Sequence, residues 1–229
     1  MEFAPHPNLW IVCAAYNEAR TIAGVVSELR RAGYRVVVVD DGSSDGTRHL
    51  ASAAGANVVT HPINLGQGAA LQTGIEYALA QGADTIVTFD ADGQHRVSDI
   101  ARLVEALSHE QADFALGSRF LGQTYNLPWA RRWVLRAATV FTRLTTGLRL
   151  TDSHNGLRAL TRRGACAIRL RQNRMAHASE IVSEIARSRL PYVEVPVTIE
   201  YTAYSLAKGQ RLGDSVKILL DLFAQELSR

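Results

Sequence analysis

The sequence predicts an α/β fold in which a mostly parallel sheet carries helices on both faces. Short continuous apolar runs suit strands that are buried on both sides. Segments with apolar residues at helical spacing alternate with these runs, and polar side chains directly follow several of them. The 229 residues fit one α/β domain, and neither an internal repeat nor a low-complexity linker divides them. We therefore expect a single domain over residues 1–229.

The first half of the chain shows the alternation most clearly. The first apolar run, residues 9–15, is followed by a helical pattern with apolar residues at 22, 25, 26 and 29, and Gly33 ends this helix. The further strands predicted here are residues 36–39, 57–60, 85–89 and 114–116. The further helices predicted here are residues 46–54, residues 66–80, and a helix that carries Ile100, Leu103, Val104 and Leu107.

The second half of the chain is less regular. A long basic helical stretch over residues 129–150 precedes a polar turn over residues 151–158, and a strand is predicted at residues 192–197. A final helix carries apolar residues on one side, at positions 212, 216, 219, 220, 223 and 227. That side packs on the domain, on a second subunit or on a membrane protein, and the sequence leaves these alternatives open, a homodimer included.

Composition narrows the classes of partner. Hydrophobic residues make up 47% of the chain and charged residues 21%, which is ordinary for a globular protein. The net charge of +3 suits an anionic small molecule or an anionic membrane surface and does not require nucleic acid. The sequence shows no signal-peptide pattern and no run of about 18 apolar residues. We therefore expect a cytoplasmic protein that is at most peripheral at the inner face of the membrane.

Three polar clusters lie at predicted strand ends, at residues 16–18, 40–41 and 90–92. Because ligands bind outside the carboxyl ends of the strands in an open parallel sheet, these clusters predict one polar rim. Asp40 and Asp41 suit hydrogen bonds from a ribose hydroxyl or a base N–H, although Asp before Gly is also common in turns. Asp45 better suits a helix cap.

The pair Asp90 and Asp92 is the sharpest signal. In extended backbone, residues two apart point the same way, so both carboxylates can face one ion. Oxygen ligands suit Mg²⁺ or Mn²⁺, which bridge carboxylates and substrate phosphates, and Gln94 offers a neutral oxygen. A structural Asp-rich turn is the alternative. His95 is expected to be a hydrogen-bonding neighbour rather than a ligand.

Two glycines, Gly66 and Gly68, open a predicted helix. They either let a phosphate or a nucleoside approach the backbone or simply start the helix. The segment is not a dinucleotide fingerprint, because it does not follow the first strand and its next glycine comes only at Gly74. A nicotinamide-dependent oxidoreductase therefore fits poorly.

Taken together, these segments resemble the family-2 inverting glycosyltransferases of the GT-A fold, and especially the branch of dolichyl- and polyprenyl-phosphate sugar synthases. The matching segments are AYNE at 15–18, VVVDDGSSDGT at 37–47, NLGQG at 64–68, FDADGQH at 89–95, GSRF at 117–120 and DSHNGLR at 152–158. Each segment is loose alone, but their order and spacing over about residues 9–210 are specific. The chain departs from part of the family in lacking C-terminal membrane spans.

The resemblance implies a GT-A-like, Rossmann-type domain with a nucleotide-binding half over about residues 1–120 and an acceptor-binding half over about residues 121–229. It implies a nucleotide-sugar donor whose nucleoside contacts Ala15, Tyr16, Asn17, Glu18 and Asp41. It implies that the Asp90-Ala91-Asp92 segment binds metal and diphosphate, with Gln94 as a further metal ligand, and that Arg119 lies in the acceptor or sugar-phosphate site. Residues 204–210 resemble the family's flexible loop, in which Ser205 and Lys208 close over the donor diphosphate.

The chemical class of the acceptor is inferred from what a hydroxyl and a phosphate each require in order to attack the donor sugar. A sugar hydroxyl needs a general base, whereas a phosphate monoester is largely ionised at neutral pH and needs cations that hold it. The resemblance implies that a family-2 enzyme acting on hydroxyls often carries an acidic pair as base well after the Asp90–Asp92 motif. The corresponding helix start at residues 177–180 lacks such a pair, while arginines are abundant: Arg119, Arg131, Arg132 and Arg158. We therefore expect polyprenyl phosphate as the acceptor. If the acceptor is a saccharide hydroxyl, Asp152 or Glu180 is the candidate base, although Asp152 equally suits a cap or a partner for Arg158.

Two further alternatives remain open. The apolar residues of the stretch 129–150 follow helical spacing with arginines beside them, which is typical of an interfacial helix and equally of a core helix with a solvated basic face. A nucleotide-sugar-binding protein without turnover is the second alternative. The Asp90–Asp92 pair and Lys208 disfavour it, because a pure binder needs no stabilisation of a leaving group.

Overall fold

The computed structural model describes residues 8–171, 177–202 and 204. The strands are β1 (Leu9–Ala15), β2 (Arg35–Asp40), β3 (Asn57–Thr60), β4 (Thr85–Thr88), β5 (Phe114–Tyr125), β6 (Arg158–Thr161) and β7 (Tyr192–Glu200). The helices are α1 (Ile22–Arg31), α2 (Thr47–Ala53), α3 (Gln67–Ala80), α4 (Ser98–His109), α5 (Trp129–Thr146), α6 (Arg162–Ala167) and α7 (His177–Ser188). Within these ranges no helix is both long and apolar enough to cross a bilayer.

The strands form one sheet in the order β3-β2-β1-β4-β6-β5-β7. β6 runs antiparallel to its neighbours β4 and β5, and the other pairs are parallel. Alternate side chains of β1 enter two cores, because successive residues of a strand point to opposite faces. Ile11 and Cys13 pack with α1 and α4, whereas Trp10 and Val12 pack with α3 and α7. The predicted α/β fold, mostly parallel with helices on both faces, is confirmed.

Two strands differ from the prediction. The sequence predicts a turn over residues 151–158, yet Arg158 already begins β6, and β5 continues to Tyr125 instead of ending at residue 116. β6 has only four residues and begins with a buried charged side chain, while the second half of β5 alternates between half-buried and exposed residues. Neither segment therefore shows the continuous apolar run that marks the other strands.

The carboxyl ends of three strands lie side by side. β1 pairs with β2 on one side and with β4 on the other, so the segments that follow these strands share one edge of the sheet. Arg158 at the start of β6 pairs with Thr88 at the end of β4. The antiparallel direction of β6 thus brings the turn over residues 152–157 to the same edge as the three polar clusters.

Candidate active site

The loops after β1 and β2 are joined by hydrogen bonds at this edge. The backbone N–H of Asn17 donates to Ser43 Oγ (2.9 Å), and the backbone N–H of Glu18 donates to Thr47 Oγ1 (2.8 Å). In return, the backbone N–H of Ser44 donates to Asn17 Oδ1 (2.9 Å). Asn17 has a φ of 53°, a conformation that Asn adopts more readily than most residues. The two loops are therefore held against each other at this edge of the sheet.

The carboxylates of Asp40 and Asp41, at the end of β2, are buried. Oδ1 of Asp41 accepts from the backbone N–H of Leu65 (2.9 Å) and contacts Nδ1 of His61 (2.7 Å), while Oδ2 accepts from the backbone N–H of Gly66 (2.7 Å). Asp40 accepts a hydrogen bond from the turn that follows it (3.3 Å). Both side chains thus shape the loops around the edge, and their contact with a nucleoside stays a prediction.

Asp90 is held by residues from three parts of the chain. Its Oδ2 lies 3.0 Å from Nε2 of His95, and its Oδ1 accepts a hydrogen bond from Nε2 of Gln67 (3.3 Å). Gly156 packs so closely that a Cβ at this position would overlap the Asp90 carboxylate. His95 is thus a hydrogen-bonding neighbour of Asp90, its absence from a metal's ligand set stays a prediction, and the turn before β6 contacts Asp90 directly.

Asp92 is half-buried beside Asp90, and its Oδ1 accepts a hydrogen bond from the backbone N–H of Gln94 (3.1 Å). Burial raises the pKa of Asp92 to about 6, and the charge of Asp90 adds to the rise, while His95 and the backbone hydrogen bond oppose it. Two neighbouring, half-buried carboxylates repel each other, and a divalent cation relieves that repulsion.

The oxygen donors of this pair fit a hard divalent ion such as Mg²⁺ or Mn²⁺. Within residues 8–171, 177–202 and 204, no group of three or more His, Cys, Asp or Glu side chains is placed to enclose a metal. Asp90 and Asp92 would therefore leave coordination positions for Gln94, water or substrate oxygens. Such a partly open site suits an ion that bridges the protein to a diphosphate.

Arg119 is buried, and each of its side-chain nitrogens has a protein partner. Nε donates to Asp152 Oδ2 (2.6 Å), Nη1 to Tyr201 Oη (2.6 Å) and Nη2 to the carbonyl oxygen of His154 (2.6 Å). Burial disfavours the charge of Arg119, but Asp152 and Tyr201 outweigh that effect and raise its pKa. Arg119 therefore ties β5 to the turn before β6 and to the chain after β7.

Asp152 is equally engaged with the protein. Its Oδ2 also accepts from the backbone N–H of Arg119 (3.1 Å), and its Oδ1 accepts from the backbone N–H of His154 (3.2 Å). Burial acts to raise the pKa of Asp152, yet the charge and hydrogen bonds of Arg119 outweigh burial and lower it. A general base works best with a pKa near the operating pH. Asp152 consequently suits a positioning role, with Arg119 as its ion-pair partner where the sequence suggests Arg158.

Arg158 differs from Arg119 in its side-chain partners. It is buried at the start of β6, and its side chain has no hydrogen-bond or ion-pair partner among the residues that the structure describes. Burial lowers the pKa of Arg158 to about 10, although the charges of Asp90 and Asp152 oppose that change. A buried cation without a direct partner is costly. Arg158 is therefore the buried cation in this part of the chain that is best suited to receive an anion.

The remaining predicted positions are distributed around the same edge. Ala15, Glu18, Gly68 and Ala91 are buried, Asn17 and Gln94 are half-buried, and Tyr16 is exposed. Tyr204 donates a hydrogen bond from its hydroxyl to Glu18 Oε2 (2.9 Å), which brings the chain after β7 to the β1 loop. Glu180 accepts a hydrogen bond from the backbone N–H of Arg171 (2.9 Å). Ser205 and Lys208 lie outside the described residues, so their role in a closing loop stays a prediction.

Several supporting residues escape sequence reasoning. Glu194 on β7 accepts hydrogen bonds from the backbone N–H groups of Thr151 (2.8 Å) and Asp152 (3.1 Å) and so anchors the turn before β6. Gln67 carries a weak signal, since it stands between the two glycines that open α3. Glu194 and Tyr201 carry no such signal, because their roles arise only where β7 and the residues after it meet the turn before β6.

Residues 10–172 match the sequence profile described as glycosyl transferase family 2. The chain belongs to this family. An uncharacterised protein of Methanocaldococcus jannaschii is 36% identical over an alignment of 224 positions that covers 96% of this chain and 92% of that protein. UDP-N-acetylglucosamine–dolichyl-phosphate N-acetylglucosaminyltransferase of Methanococcus voltae is 30% identical over an alignment of 243 positions that covers 96% of this chain and 97% of that enzyme. The resemblance to the dolichyl- and polyprenyl-phosphate branch of family 2 is confirmed.

Solved structures of the GT-A fold resemble this family-2 chain as well. Glucosyl-3-phosphoglycerate synthase from Mycobacterium tuberculosis, crystallised with Mn²⁺, UDP and glucosyl-3-phosphoglycerate, aligns with a TM-score of 0.70 and 20% identity. The alignment covers 94% of this chain and 78% of that one. This likeness shows a GT-A-like fold, and the family match together with the curated relatives makes the chain a hexosyltransferase.

Proposed function

We propose that this family-2 enzyme transfers a sugar from a UDP- or GDP-sugar to polyprenyl phosphate, with inversion at the anomeric carbon. Mg²⁺ or Mn²⁺ would be held by Asp90, Asp92 and Gln94. The observation that carries the proposal is that two buried arginines, Arg119 and Arg158, differ in their partners. The ion pair with Arg119 favours a positioning role for Asp152 over a basic one, whereas Arg158 has no direct partner in the described residues. This arrangement favours an acceptor that arrives already ionised.

The acceptor phosphate needs no side chain to remove a proton, because its second pKa is near 6. Arg158 binds its oxygens and holds one of them in line with the anomeric carbon. The new bond joins that oxygen to the anomeric carbon while the bond from this carbon to the nucleoside diphosphate breaks on the opposite face, which inverts the configuration. A divalent ion, when bound, neutralises charge on the departing diphosphate. His95 and Gln67 keep Asp90 oriented for this task.

Two relatives support the proposal. The Methanococcus voltae enzyme acts on dolichyl phosphate according to its name and matches nearly the whole chain. The Mycobacterium tuberculosis synthase was crystallised with Mn²⁺ and UDP and supports the fold, so a metal and a uridine nucleotide are natural first candidates here. Glu180 accepts a hydrogen bond from the backbone N–H of Arg171, a contact that favours a structural role over that of a base.

The proposal is tested by measuring nucleoside diphosphate release with Mn²⁺, a panel of UDP-, GDP- and dTDP-sugars, and a short water-soluble polyprenyl phosphate. We expect release that depends on the lipid phosphate. Release only with a saccharide acceptor would instead favour the hydroxyl alternative. Binding of the donor without any release would favour a protein that binds nucleotide-sugars without turnover.

The variant Arg158→Gln tests the arginine assignment. We expect the KM for the lipid phosphate to rise about 10- to 100-fold, because a hydrogen bond to a charged group is lost. Stability should stay equal or rise, since a poorly compensated buried charge is removed. Arg48→Gln, at an exposed position on α2, is the matched control and should change neither quantity. An unchanged KM in Arg158→Gln would refute the assignment.

The variant Asp152→Asn separates a positioning role from a basic one. If Asp152 only orients Arg119, the variant should lose roughly 3 kcal/mol of stability, because the buried Arg119 charge loses its partner. The pH dependence of kcat should keep its shape. A large loss of kcat at unchanged stability, together with loss of the acidic limb of the pH profile, would show that Asp152 is a base.

A further inference from the structure

The carboxylate of Asp41 is enclosed by the loop between β3 and α3, residues 61–66, which we call the α3 entry loop. Oδ1 accepts from the backbone N–H of Leu65 (2.9 Å) and lies 2.7 Å from Nδ1 of His61, and Oδ2 accepts from the backbone N–H of Gly66 (2.7 Å). A carboxylate offers about four lone-pair sites. Donors from one loop therefore take three of them, and we call this set of contacts the Asp41 clamp.

His61 joins the Asp41 clamp to helix α3. Because an ionised carboxylate only accepts hydrogen bonds, Nδ1 of His61 is the donor toward Asp41. Nε2 of His61 lies 3.0 Å from Thr73 Oγ1 on α3, and the backbone N–H of His61 donates to the carbonyl oxygen of Asp40 (2.9 Å). The imidazole is buried, so contacts shielded from water connect the entry loop, the end of β2 and α3.

The α3 entry loop also packs directly on the turn after β2. Gly42 follows Asp41 and has a φ of 71°, which glycine adopts without strain. A Cβ at Gly42 would lie 2.6 Å from the carbonyl carbon of Ile63 and 2.7 Å from the backbone nitrogen of Asn64. No side chain fits between these two backbone segments, so the loop is held at close range to the Asp41 carboxylate.

The α3 entry loop ends directly before a residue that contacts the acidic pair. Gln67 begins α3, and its Nε2 donates to Asp90 Oδ1 (3.3 Å). Its neighbour Gly66 is the residue whose backbone N–H donates to Asp41 Oδ2. The backbone position of Gln67, and with it the reach of its amide to Asp90, therefore depends on the Asp41 clamp.

We propose that Asp41 and His61 are positioning residues for the metal site. They fix the α3 entry loop, so that the Gln67 amide holds Asp90 in the orientation that binds a divalent ion. The series of contacts from Asp41 through the loop to Asp90 carries the proposal. It rests on the metal assignment of the proposed function and deepens it, because it names residues that act on the ion without touching it.

A direct contact between Asp41 and the nucleoside is less compatible with this geometry. The Asp41 side chain is only 3% exposed, so a base N–H or a ribose hydroxyl reaches the carboxylate only by displacing one of its present donors. That donor would then lose its partner beside a buried charge, which is costly. The Asp41 clamp therefore replaces the expectation that Asp41 binds the nucleoside.

The proposal is tested with a double-mutant cycle on Mn²⁺ affinity, followed by electron paramagnetic resonance of the free ion at a constant UDP concentration. His61→Phe keeps a ring but removes both nitrogens, and it should weaken Mn²⁺ binding about three- to tenfold. Gln67→Ala should weaken binding by a similar factor. The double variant should lose little more than either single variant, because the two residues act in one series of contacts. Single effects that multiply in the double variant would overturn the proposal.

Two further variants separate positioning from a general loss of stability. His61→Asn is the rescue variant, because its amide nitrogen still donates to Asp41 and should restore most of the Mn²⁺ affinity. Gln72→Ala is the matched control on α3. Gln72 accepts a hydrogen bond from the backbone N–H of Leu170 (2.8 Å), so its loss should lower stability and leave Mn²⁺ affinity unchanged. Lower stability with unchanged Mn²⁺ affinity in His61→Phe would overturn the proposal.

Asp41→Asn distinguishes the Asp41 clamp from a nucleoside contact. Its amide directs an N–H group at a backbone N–H of the loop, so we expect Mn²⁺ affinity to fall about tenfold. Binding of uridine and guanosine, which carry no phosphate, is followed by saturation-transfer NMR with a chelator present and should stay as in the parent protein. An equal loss of nucleoside binding would assign Asp41 to the nucleoside and overturn the proposal.

The two proposals fail in different ways. If the double-mutant cycle is non-additive but no sugar reaches the lipid phosphate, the Asp41 clamp stands and the proposed function fails. If release depends on the lipid phosphate but the single effects multiply, the proposed function stands and the Asp41 clamp fails. Absence of Mn²⁺ binding by the parent protein would overturn the inference whether or not sugar transfer occurs.

Discussion

At the scale of single residues, the charge of Asp92 opposes the stability of the fold. Asp92 is half-buried beside Asp90, and burial together with the Asp90 charge raises its pKa to about 6. In an unfolded chain the same carboxyl would titrate near 3.9. The folded protein therefore holds the proton more tightly between about pH 4 and 6, and ionisation of Asp92 lowers stability as the pH rises through that window.

Because ionisation of Asp92 lowers stability, the variant Asp92→Asn should be more stable than the parent protein at neutral pH. With a chelator present at pH 7, we expect the free energy of unfolding to increase by roughly 1–2 kcal/mol, because the unfavourable ionisation is removed. The amide oxygen can still accept the backbone hydrogen bond of Gln94. The gain should vanish at about pH 3, where Asp92 is largely protonated in both the folded and the unfolded protein. Urea denaturation at the two pH values checks the difference, and equal stabilities at pH 7 would contradict it.

At the scale of elements, the short strand β6 determines how the turn before it meets the acidic pair. Because β6 is antiparallel, the turn over residues 152–157 presses Gly156 against Asp90. The same turn is anchored by Glu194 on β7 and by the Arg119–Asp152 pair. The position of Asp90 therefore depends on three strands that are distant in sequence.

The variant Gly156→Ala tests this contact. The added Cβ overlaps the Asp90 carboxylate, so we expect Mn²⁺ affinity and turnover to fall by an order of magnitude or more, with about 1–3 kcal/mol of stability lost to overpacking. Titration calorimetry with Mn²⁺ and UDP measures the affinity.

Gly24→Ala is the matched control. A Cβ at this exposed position of α1 meets nothing within 4 Å, and alanine should stabilise the helix by about 0.5–1 kcal/mol. Normal metal affinity in Gly156→Ala would show that the turn yields without moving Asp90.

At the scale of the whole molecule, the candidate site is assembled from segments that lie far apart in the sequence. The β1 loop is bonded to the β2 loop, Glu18 contacts Tyr204, and Arg119 contacts Tyr201. A ligand that bridges these parts binds the folded state alone and stabilises it by mass action.

We therefore expect Mn²⁺ together with UDP to raise the Tm. At ligand concentrations about 100 times Kd, the gain is about 2.7 kcal/mol, which corresponds to roughly 5–10 °C for a domain of this size. Either ligand alone should shift the Tm less, and Asp92→Asn should lose most of the joint effect. Thermal denaturation followed by circular dichroism measures the shifts. An equal shift in Asp92→Asn would place the metal elsewhere.

Local sequence patterns predicted much of this fold. Buried strands such as β1 and β2 appear as apolar runs because both of their faces lie in a core, and the helices appear through their 3.6-residue periodicity. The acidic pair is visible as well, because its carboxylates stand directly after a buried strand. β6 is not visible, since four residues that begin with a charged side chain resemble a turn.

The sequence by itself determined the family, the α/β class and the residues that gather at the strand ends. Only the tertiary structure decided which buried arginine is paired, which donors enclose Asp41, and which glycine touches Asp90. The physical reason is that periodicity and strand ends are properties of neighbouring residues, whereas burial, ion pairing and close approach depend on segments that meet only after folding.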